Sequence, residues 1–500
     1  MKLIKQILLI VLSATSLTLT LNASEIVILH TNDTHSQIDP IGKEDKGGVL
    51  RRKALIDSVR RVNKNVLLVD AGDAVQGTVY FNLYKGEVEQ QMMNIMGYDL
   101  RIIGNHEFDN GIEVLKSMID MSTAQVLSTN YLFEDSLLRS KIAPYIIKSI
   151  EDKKIAFIAI NIDPKGLVST ENYIGVGYVD GQLMADSFAK QLKEDFGADY
   201  VVALTHIGYD DDVKLAKGSR YIDVIIGGHS HDLINPADKN CKLAHKVVNQ
   251  NGDSVLIAQA DKSGRYVGEV TLNLDNGYKQ SKVIAVDSRL DRIESDSTMV
   301  NLITHYDDGV DSLMNQKIAT AVIDLKKDEA PLQNYVSDMA LSQAKKIYGN
   351  DINLSIINSG GIRNDIPQGY VSIGQIMGLL PFNNRIVVMT ITGKDLLEAF
   401  DVMASRGGDC VSANVDAVFD AETKKCTMVK INGEQVEPKK IYTLATIDYL
   451  AGGGDYMSSL TRGKIVANGS KVLYDEMIEF LQSQKDAQIN PSSKQRMRKK

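Results

Sequence analysis

Short apolar runs recur along the first half of the chain, and polar residues follow each of them at once. The runs are rich in β-branched residues and are bounded by turn-forming ones, which is the pattern of a buried strand. Binding sites in α/β sheets form at the carboxyl ends of strands. The pattern therefore predicts an α/β domain whose strand ends deliver polar side chains to one cavity. Five runs are followed by Asp, Asn or His: residues 26–29, 66–69, 100–103, 200–204 and 224–226.

Stretches with apolar residues at helical spacing lie between these runs and predict helices that flank the sheets. They cover residues 48–63, 87–96, 112–121 and 181–196. Residues 296–316 also show helical spacing, with apolar Val300, Ile303, Val310 and Leu313, and predict a helix that joins two domains. We expect a first domain at 24–292, a helical linker at 293–317 and a smaller α/β (α+β) domain at 318–482. A polar tail follows at 483–500, and we expect its basic end, 490–500, to be disordered.

The first 23 residues have the features of a signal peptide. Lys2 and Lys5 precede an apolar stretch that small and hydroxyl residues interrupt, so we expect cleavage near Ala23. An uncleaved anchor helix is the alternative. The interpretation predicts a periplasmic or secreted protein with no membrane anchor after cleavage.

The composition limits the classes of ligand. The formal charge of −8 argues against a surface that binds nucleic-acid polymers. Anionic small molecules would have to meet metals or individual Arg and Lys residues. In an exported protein, Cys410 and Cys426 could form a disulfide, or both could stay reduced with Cys241, and the sequence leaves the two alternatives open.

The residues at the five strand ends are of metal-ligand types. They offer oxygen and imidazole nitrogen but no thiolate, a set that suits Zn, Mn or Fe rather than a Cys-type structural zinc. Asp-x-His and His-x-His spacings place alternate side chains on one side of an extended backbone, so each pair can bind one ion or two neighbouring ions. We expect Asp73 to bridge two ions. The predicted ligands are Asp33, His35, Asp73, Asn105, His206, His229 and His231.

The motifs at these strand ends resemble the five sequence blocks of the calcineurin-like metallophosphoesterases. The version Gly-Asn-His-Glu-Phe-Asp is similar to the 5′-nucleotidase branch, whose bacterial members include UDP-sugar hydrolases and 2′,3′-cyclic-nucleotide phosphodiesterases. The resemblance implies a two-metal phosphoesterase sandwich of sheets flanked by helices, with two divalent ions such as Zn or Mn. The blocks are Asn32-Asp33-Thr34-His35, Gly72-Asp73, Gly104-Asn105-His106-Glu107, Thr205-His206 and Gly228-His229-Ser230-His231.

The resemblance also implies roles for individual residues. His106 would stabilise the charge that develops on the phosphoryl group during attack by hydroxide generated at the metals, and Asp109 would orient its imidazole. One ion would be held by Asp33, His35, Asp73 and His231, and the other by Asp73, Asn105, His206 and His229.

The second domain is similar to the substrate-binding C-terminal domain of 5′-nucleotidases. The resemblance implies that Phe382 and Tyr449 sandwich the base and that Asp455, after a triple-Gly loop, contacts the ribose. Lys326 stands where the family has an Arg-rich segment, so it would act as a point charge rather than a bidentate fork. Further substrate contacts match Asn358, Arg363 and Asn384.

These features together predict an exported dinuclear-metal phosphohydrolase that cleaves nucleoside 5′-monophosphates. UDP-sugars, 2′,3′-cyclic nucleotides or a thiosulfate-type ester are alternative substrates for the same site. A non-enzymatic nucleotide-binding surface protein is a third hypothesis. The sequence does not distinguish a monomer from a homodimer.

Overall fold

The structure is a computed structural model that describes residues 25–500 except Lys43, Gly166 and Ser169. The predicted signal peptide, residues 1–23, lies outside the described residues. The N-terminal part contains two large sheets of seven and six strands, and the C-terminal part contains sheets of five, four and three strands.

Helices lie between many of the strands of the N-terminal part, as the sequence predicts, and the part ends in five consecutive strands. Its helices are α1 (Val49–Val62), α2 (Val79–Tyr84), α3 (Glu87–Met96), α4 (Ile112–Met121), α5 (Ser136–Lys141), α6 (Gly181–Glu194) and α7 (Tyr209–Gly218). Its strands are β1 (Glu25–Thr31), β2 (Pro40–Ile41), β3 (Lys46–Gly47), β4 (Val66–Asp70), β5 (Leu100–Ile102), β6 (Gln125–Leu127), β7 (Tyr131–Phe133), β8 (Ile142–Ala143), β9 (Tyr145–Ile150), β10 (Lys153–Asn161), β11 (Val176–Tyr178), β12 (Tyr200–His206), β13 (Val224–Ile226), β14 (Lys246–Val248), β15 (Ser254–Ala258), β16 (Tyr266–Asn273) and β17 (Lys279–Ala285).

The two large sheets pack face to face. The first has the order β17-β16-β1-β4-β5-β6-β8 and the second has the order β14-β15-β13-β12-β10-β9. Apolar side chains from both sheets, such as Ile28 and Val69 from the first and Val202 and Val224 from the second, form one buried layer between them. The opposite faces are covered by helices, so the N-terminal part is the predicted sandwich flanked by helices.

A long helix, α8 (Ser297–Met314), follows the N-terminal part and matches the helix predicted over residues 296–316. Asp296 caps its start by accepting the Met299 N–H at 2.9 Å. At its end, Met314 packs against the hydrophobic clusters of both parts of the chain, and Val79 of α2 does the same. The two parts therefore meet around α2 and the end of α8.

The C-terminal part surrounds a second hydrophobic core. Its helices are α9 (Ala330–Tyr348), α10 (Ile373–Leu379), α11 (Gly393–Ser405), α12 (Asp448–Ala451) and α13 (Leu473–Gln482). Its strands are β18 (Lys317–Ala321), β19 (Leu354–Ile357), β20 (Gly369–Ser372), β21 (Arg385–Thr392), β22 (Cys410–Val411), β23 (Val415–Asp420), β24 (Lys425–Ile431), β25 (Glu434–Gln435), β26 (Ile441–Ile447), β27 (Lys464–Val472), β28 (Gln488–Ile489) and β29 (Met497–Lys499). Its sheets have the orders β22-β19-β26-β21-β27, β25-β24-β23-β29 and β20-β18-β28.

The basic end of the chain is ordered, so the prediction of a disordered tail is wrong. β28 pairs with β18, and β29 pairs in parallel with β23. Between them, the buried guanidinium of Arg496 donates to both carboxylate oxygens of Asp338, at 2.8 and 2.6 Å, and to the Val411 carbonyl at 2.8 Å. These bonds stabilise the tail against the C-terminal core.

Cys410 and Cys426 are free thiols in the structure, as is Cys241. Cys410 is buried, and the Cys426 thiol donates to the Phe400 carbonyl at 3.4 Å. Of the two alternatives that the sequence left open, the structure shows the reduced one. Within the described part of the chain, none of the helices combines the length and the apolar character needed to cross a bilayer.

Candidate metal centre and nucleoside site

The five predicted strand ends meet at one edge of the sandwich. β1, β4 and β5 are parallel neighbours in the first sheet, and β12 and β13 are parallel neighbours in the second, so the strands within each sheet end at a common edge. The loops after β1 and β13 touch across the two sheets, because the backbone N–H of His229 donates to both carboxylate oxygens of Asp33, at 3.1 and 3.0 Å.

Asp33, His35 and His231 form one group of candidate ligands. The Nε2 atoms of the two imidazoles are 3.0 Å apart, and Asp33 Oδ1 is 3.5 Å from His231 Nε2. His35 and His231 also meet edge to face, with ring centroids 5.0 Å apart. The three side chains therefore direct one oxygen and two nitrogens at a common point.

Asp73, His206 and His229 form a second group. Asp73 Oδ2 is 3.1 Å from His206 Nε2, and His229 Nδ1 is 3.0 Å from Asn105 Oδ1. A third group of ligand atoms joins Asp73 to His35 and His106, so Asp73 lies between the two ligand sets. All seven predicted ligands are therefore close together at this edge of the sandwich.

The ring of His206 shows that this geometry fits a metal ion. Its Nδ1 is 2.7 Å from the Ala71 carbonyl, a bond in which the ring N–H must be the donor. In the neutral ring this bond leaves a lone pair on the buried Nε2, which lies 3.1 Å from Asp73 Oδ2. Burial lowers the pKa of His206, but the carboxylates of Asp73 and Asp33 outweigh this effect and raise the pKa to about 10. A divalent cation beside Asp73 would take the place of the ring proton and bind this nitrogen.

Burial also favours the ligand form of three imidazoles. Desolvation lowers the pKa of His35 and His229 to about 4 and that of His231 to about 3. Each of these rings is therefore neutral at physiological pH, and neutral imidazole is the form that binds metals. At Asp33, burial raises the carboxyl pKa to about 7, a penalty on the charged form that a nearby cation would offset.

Five of the seven candidate ligands have left-handed backbone conformations. Non-glycine residues rarely adopt positive φ, and each such residue costs on the order of 1–3 kcal/mol unless its surroundings impose it. Residues of this kind concentrate at functional sites. The φ values are 49° for Asp33, 48° for His35, 54° for Asp73, 77° for His229 and 59° for His231.

His106 and Asp109 are paired beside the candidate ligands. His106 Nδ1 is 2.8 Å from Asp109 Oδ2, and its Nε2 is 4.0 Å from Asp73 Oδ2. Burial lowers the pKa of His106, but the carboxylates of Asp73 and Asp109 outweigh this effect and raise the pKa to about 9. Asn172 supports the pair by donating to the Asp109 carbonyl at 2.8 Å, a contact that the sequence analysis missed.

Glu107 connects the loops that carry Asp73 and Asn105. Its fully buried carboxylate accepts backbone N–H groups from Gly104, Asp73 and Ala74, at 2.6, 3.1 and 2.9 Å. Gly104 is required by close approach, because a Cβ there would collide with Asp73 Oδ1. The loops are thus fixed by contacts beneath the ligands.

The predicted nucleoside residues lie together in the C-terminal part. Asn358 Nδ2 donates to Asp455 Oδ2 at 2.8 Å, and the Tyr449 hydroxyl donates to Asp455 Oδ1 at 3.1 Å. Asn358 also lines a small cavity with Phe382 and Asn384. Phe382 and Tyr449 are 39% and 46% exposed as residues, so both rings can offer a face to a planar ligand.

Arg363 and Lys326 have different surroundings. The guanidinium of Arg363 is 5.8 Å from the centroid of Phe382, and Arg363 lines a cavity of about 740 Å³ that reaches Met314 at the end of α8. Lys326 is paired with Asp365 at 3.1 Å, and its neighbour Lys327 lines the cavity instead. Lys326 therefore already has an oppositely charged partner, Asp365.

Two further residues beside the nucleoside site were missed by the sequence analysis. Arg406 Nη1 donates to the Asp455 carbonyl at 2.5 Å, and its other terminal nitrogen pairs with Asp409. Both residues lie in a turn after α11, where a charged residue is ordinary and gives no signal of a role. Only their contacts with residues distant in the sequence indicate a role.

Two family models match the chain over separate ranges. The model of the calcineurin-like phosphoesterase matches residues 26–233, and the model of the 5′-nucleotidase C-terminal domain matches residues 312–462. The 5′-nucleotidase precursor of Thermus thermophilus has a similar structure, with a TM-score of 0.72, 26% sequence identity and coverage of 95% of this chain and 99% of that one.

Curated relatives extend over both parts of the chain. Protein UshA of Yersinia enterocolitica is 29% identical over 86% of this chain and 86% of its own length. The trifunctional nucleotide phosphoesterase protein YfkN of Bacillus subtilis is 28% identical over 87% of this chain, which spans 32% of the length of that relative. From the matched domains, the ligand geometry and these relatives, the chain belongs to the 5′-nucleotidase family and is a metal-dependent phosphoric ester hydrolase.

Proposed function

We propose that this protein hydrolyses nucleoside 5′-monophosphates to nucleoside and phosphate at a centre of two divalent ions, Zn, Mn or similar. The observation that carries the proposal is the presence of two ligand clusters around Asp73 in a chain that also holds the linked set Phe382, Asn358, Asp455 and Tyr449. A phosphoesterase centre and a surface for a base are the two parts that such a substrate needs.

The candidate ligands divide around the shared carboxylate of Asp73. When bound, the divalent ions would supply Lewis acidity and lower the pKa of water, which is the chemistry that hydrolysis requires. The chain's own contribution is to hold the ligands in place, through Glu107 beneath the loops and the Ala71 carbonyl behind His206. One ion would be held by Asp33, His35, Asp73 and His231, and the other by Asp73, Asn105, His206 and His229.

His106 would act on the phosphoryl group. Its Nδ1 is held by Asp109, so the ring has a fixed orientation and its Nε2 remains available to a phosphoryl oxygen. A hydrogen bond from a donor positioned in this way is stronger in the transition state, where negative charge accumulates on the phosphoryl oxygens, than in the ground state. Asp109 keeps the imidazole in place without contacting the substrate.

The C-terminal part would bind the nucleoside. Phe382 and Tyr449 would stack on the base. Stacking of this kind tolerates different bases, because every base has a π-face. The carboxylate of Asp455 would accept hydrogen bonds from the ribose hydroxyls. Asn358 and Asn384 would contact the base, with Arg363 and Lys326 providing local positive charge in an acidic protein.

We also propose the cellular context and the division of the chain. Residues 1–23 would direct export to the periplasm or the exterior and would then be removed. Residues 24–292 would form the metal domain and residues 318–482 the nucleoside domain, joined by a linker at 293–317. The substrate would therefore bridge two domains, with its phosphate in one and its base in the other.

Phosphate release from AMP by the Mn²⁺-loaded protein tests this function, with UDP-glucose measured alongside. His106→Ala should retain its metal and lose about 10²-fold or more in kcat. His305→Ala, a matched change of an exposed histidine in α8, should match the wild type. If the metal-loaded wild type leaves AMP intact, the proposed reaction is wrong, and cleavage of UDP-glucose would then identify a different substrate for the same centre.

A further inference from the structure

A closed ring of hydrogen bonds lies beneath the proposed nucleoside site. Asp409 Oδ1 accepts the backbone N–H and the hydroxyl of Ser359, at 2.8 and 2.9 Å. The carboxylate of Asp409 also pairs with Arg406, which donates to the Asp455 carbonyl at 2.5 Å. Asp455 in turn accepts from Asn358, the residue before Ser359. The ring joins the loop after β19, the turn after α11 and the loop after α12.

Asp455 depends on such support because of its backbone. Its φ is 52°, and that of Tyr456 is 63°, so two successive non-glycine residues adopt the left-handed conformation. Left-handed residues of this type persist only where their surroundings impose them. Two side chains bond the main chain of Asp455: Arg406 donates to its carbonyl at 2.5 Å, and the Tyr449 hydroxyl accepts its N–H at the longer distance of 3.3 Å. Arg406 Nη1 is also 3.9 Å from the Asp455 carboxylate.

The turn that carries Arg406 and Asp409 is built for this contact. Gly407 and Gly408 have φ values of 93° and 115°, which L-residues rarely adopt, and they bring the two charged side chains face to face. The side chain of Asp409 is 1% exposed and that of Arg406 is 27% exposed. A buried carboxylate fixes the guanidinium, and the guanidinium in turn fixes the Asp455 loop.

We propose that Arg406, held by Asp409, is a positioning residue that sets the affinity for the ribose of the substrate through Asp455. This inference rests on the proposed role of Asp455 as the acceptor for ribose hydroxyls. Arg406 itself does not contact the substrate or the metals. Loss of Arg406 should therefore weaken binding of ribose-containing ligands and leave the chemistry at the metal centre unchanged.

The test compares substrates that share the phosphate but differ in the sugar. Arg406→Ala should raise KM for AMP about tenfold and leave kcat near that of the wild type. A tenfold change is what the loss of one hydrogen bond between a ribose hydroxyl and the charged Asp455 carboxylate would produce. The KM for 2′,3′-dideoxyadenosine 5′-monophosphate and for p-nitrophenyl phosphate should change by less than about twofold, because neither offers ribose hydroxyls. The dissociation constant of adenosine, measured by calorimetry without turnover, should rise with KM for AMP.

Three further variants make the test specific. Arg406→Ala should add less than about twofold to KM for AMP in an Asp455→Ala background, because both changes remove the same interaction. Arg406→Lys retains the charge without the bidentate fork, so it should fold and still show the raised KM. Arg462→Ala is the matched control, since Arg462 pairs with Asp395 and Glu398 in the same part of the chain.

The outcomes separate this inference from the proposed function. If the wild type cleaves AMP and folded Arg406 variants keep its KM, the positioning role is wrong and the function stands. If the variants raise KM equally for AMP and the dideoxy substrate, Arg406 supports the whole site and does not act through ribose recognition. If the metal-loaded wild type neither cleaves AMP nor binds adenosine, both proposals are wrong.

Discussion

At the scale of single residues, the metal centre depends on groups that do not touch the metals. Glu107 is the clearest case, because one buried carboxylate accepts three backbone N–H groups from the two loops that carry Asp73 and Asn105. Arg101, also buried, lies 3.5 Å from the same carboxylate and balances its charge. Ligand positions are set by this network before any ion binds.

Glu107→Gln should destabilise the protein by about 3 kcal/mol, because it leaves a buried N–H without an acceptor and Arg101 without its counter-charge. Urea unfolding of the chelated protein measures this change apart from metal binding. The affinity for Mn²⁺ should fall as well, since Asp73 loses a constraint on its backbone. Glu113→Gln is the control, because the Glu113 side chain is 84% exposed and should change stability by less than about 0.5 kcal/mol. Equal effects of the two changes would contradict the role of Glu107.

The residue scale also shows what the sequence could and could not predict. Asp33, His35, Asp73 and the other candidate ligands were predictable, because each follows an apolar run and strand ends converge in α/β sheets. The left-handed backbone conformation of the ligands was not predictable, because the residue types Asp and His do not determine φ. Arg406 and Asp455 are 49 positions apart, and a contact over that distance leaves no local pattern.

At the scale of elements, the end of the chain is the main departure from the sequence-based prediction. The composition of residues 490–500 is that of a disordered tail, yet this segment contains a short strand, β29, that pairs with β23 of a C-terminal sheet. The cause is Arg496, whose partner Asp338 lies 158 positions earlier in the chain. Asn334 of the same helix, α9, donates to the Ser492 carbonyl at 2.8 Å. Tertiary contacts of this kind override composition.

Arg496→Ala should lower the free energy of unfolding by about 2–3 kcal/mol, because it removes a buried guanidinium that bonds a carboxylate and a backbone carbonyl. Chemical denaturation monitored by circular dichroism measures the loss. Arg498→Ala, two positions further along the chain in β29, is the matched control, since Arg498 pairs with Asp416 and both side chains are more than a third exposed. That pair should contribute less than about 1 kcal/mol. If the Arg496 contacts contribute nothing to stability, the two variants will have the same free energy of unfolding.

At the scale of the whole molecule, the candidate metal centre and the proposed nucleoside site lie in parts of the chain with separate hydrophobic cores. The N-terminal clusters and the C-terminal cluster meet where Val79, Leu83 and Met314 pack against both. Gly374 of α10 allows this contact, because a Cβ there would lie 2.6 Å from the Met314 side chain. An interface of limited extent makes relative motion of the two parts the default expectation. A substrate held at both ends would couple two units that are otherwise independent.

Independent units should respond to different ligands in calorimetry. Mn²⁺ should raise the melting temperature of one transition, and adenosine should raise that of the other, because each ligand stabilises only the part that binds it. At a free ligand concentration about a thousandfold above Kd, each ligand should raise the free energy of unfolding of its own transition by about 4 kcal/mol. His206→Ala should abolish the response to Mn²⁺ and preserve the response to adenosine, whereas Asp455→Ala should do the reverse. If a single transition shifts with both ligands, the two cores unfold as one cooperative unit, and Met314 then joins them more tightly than independent domain motion allows.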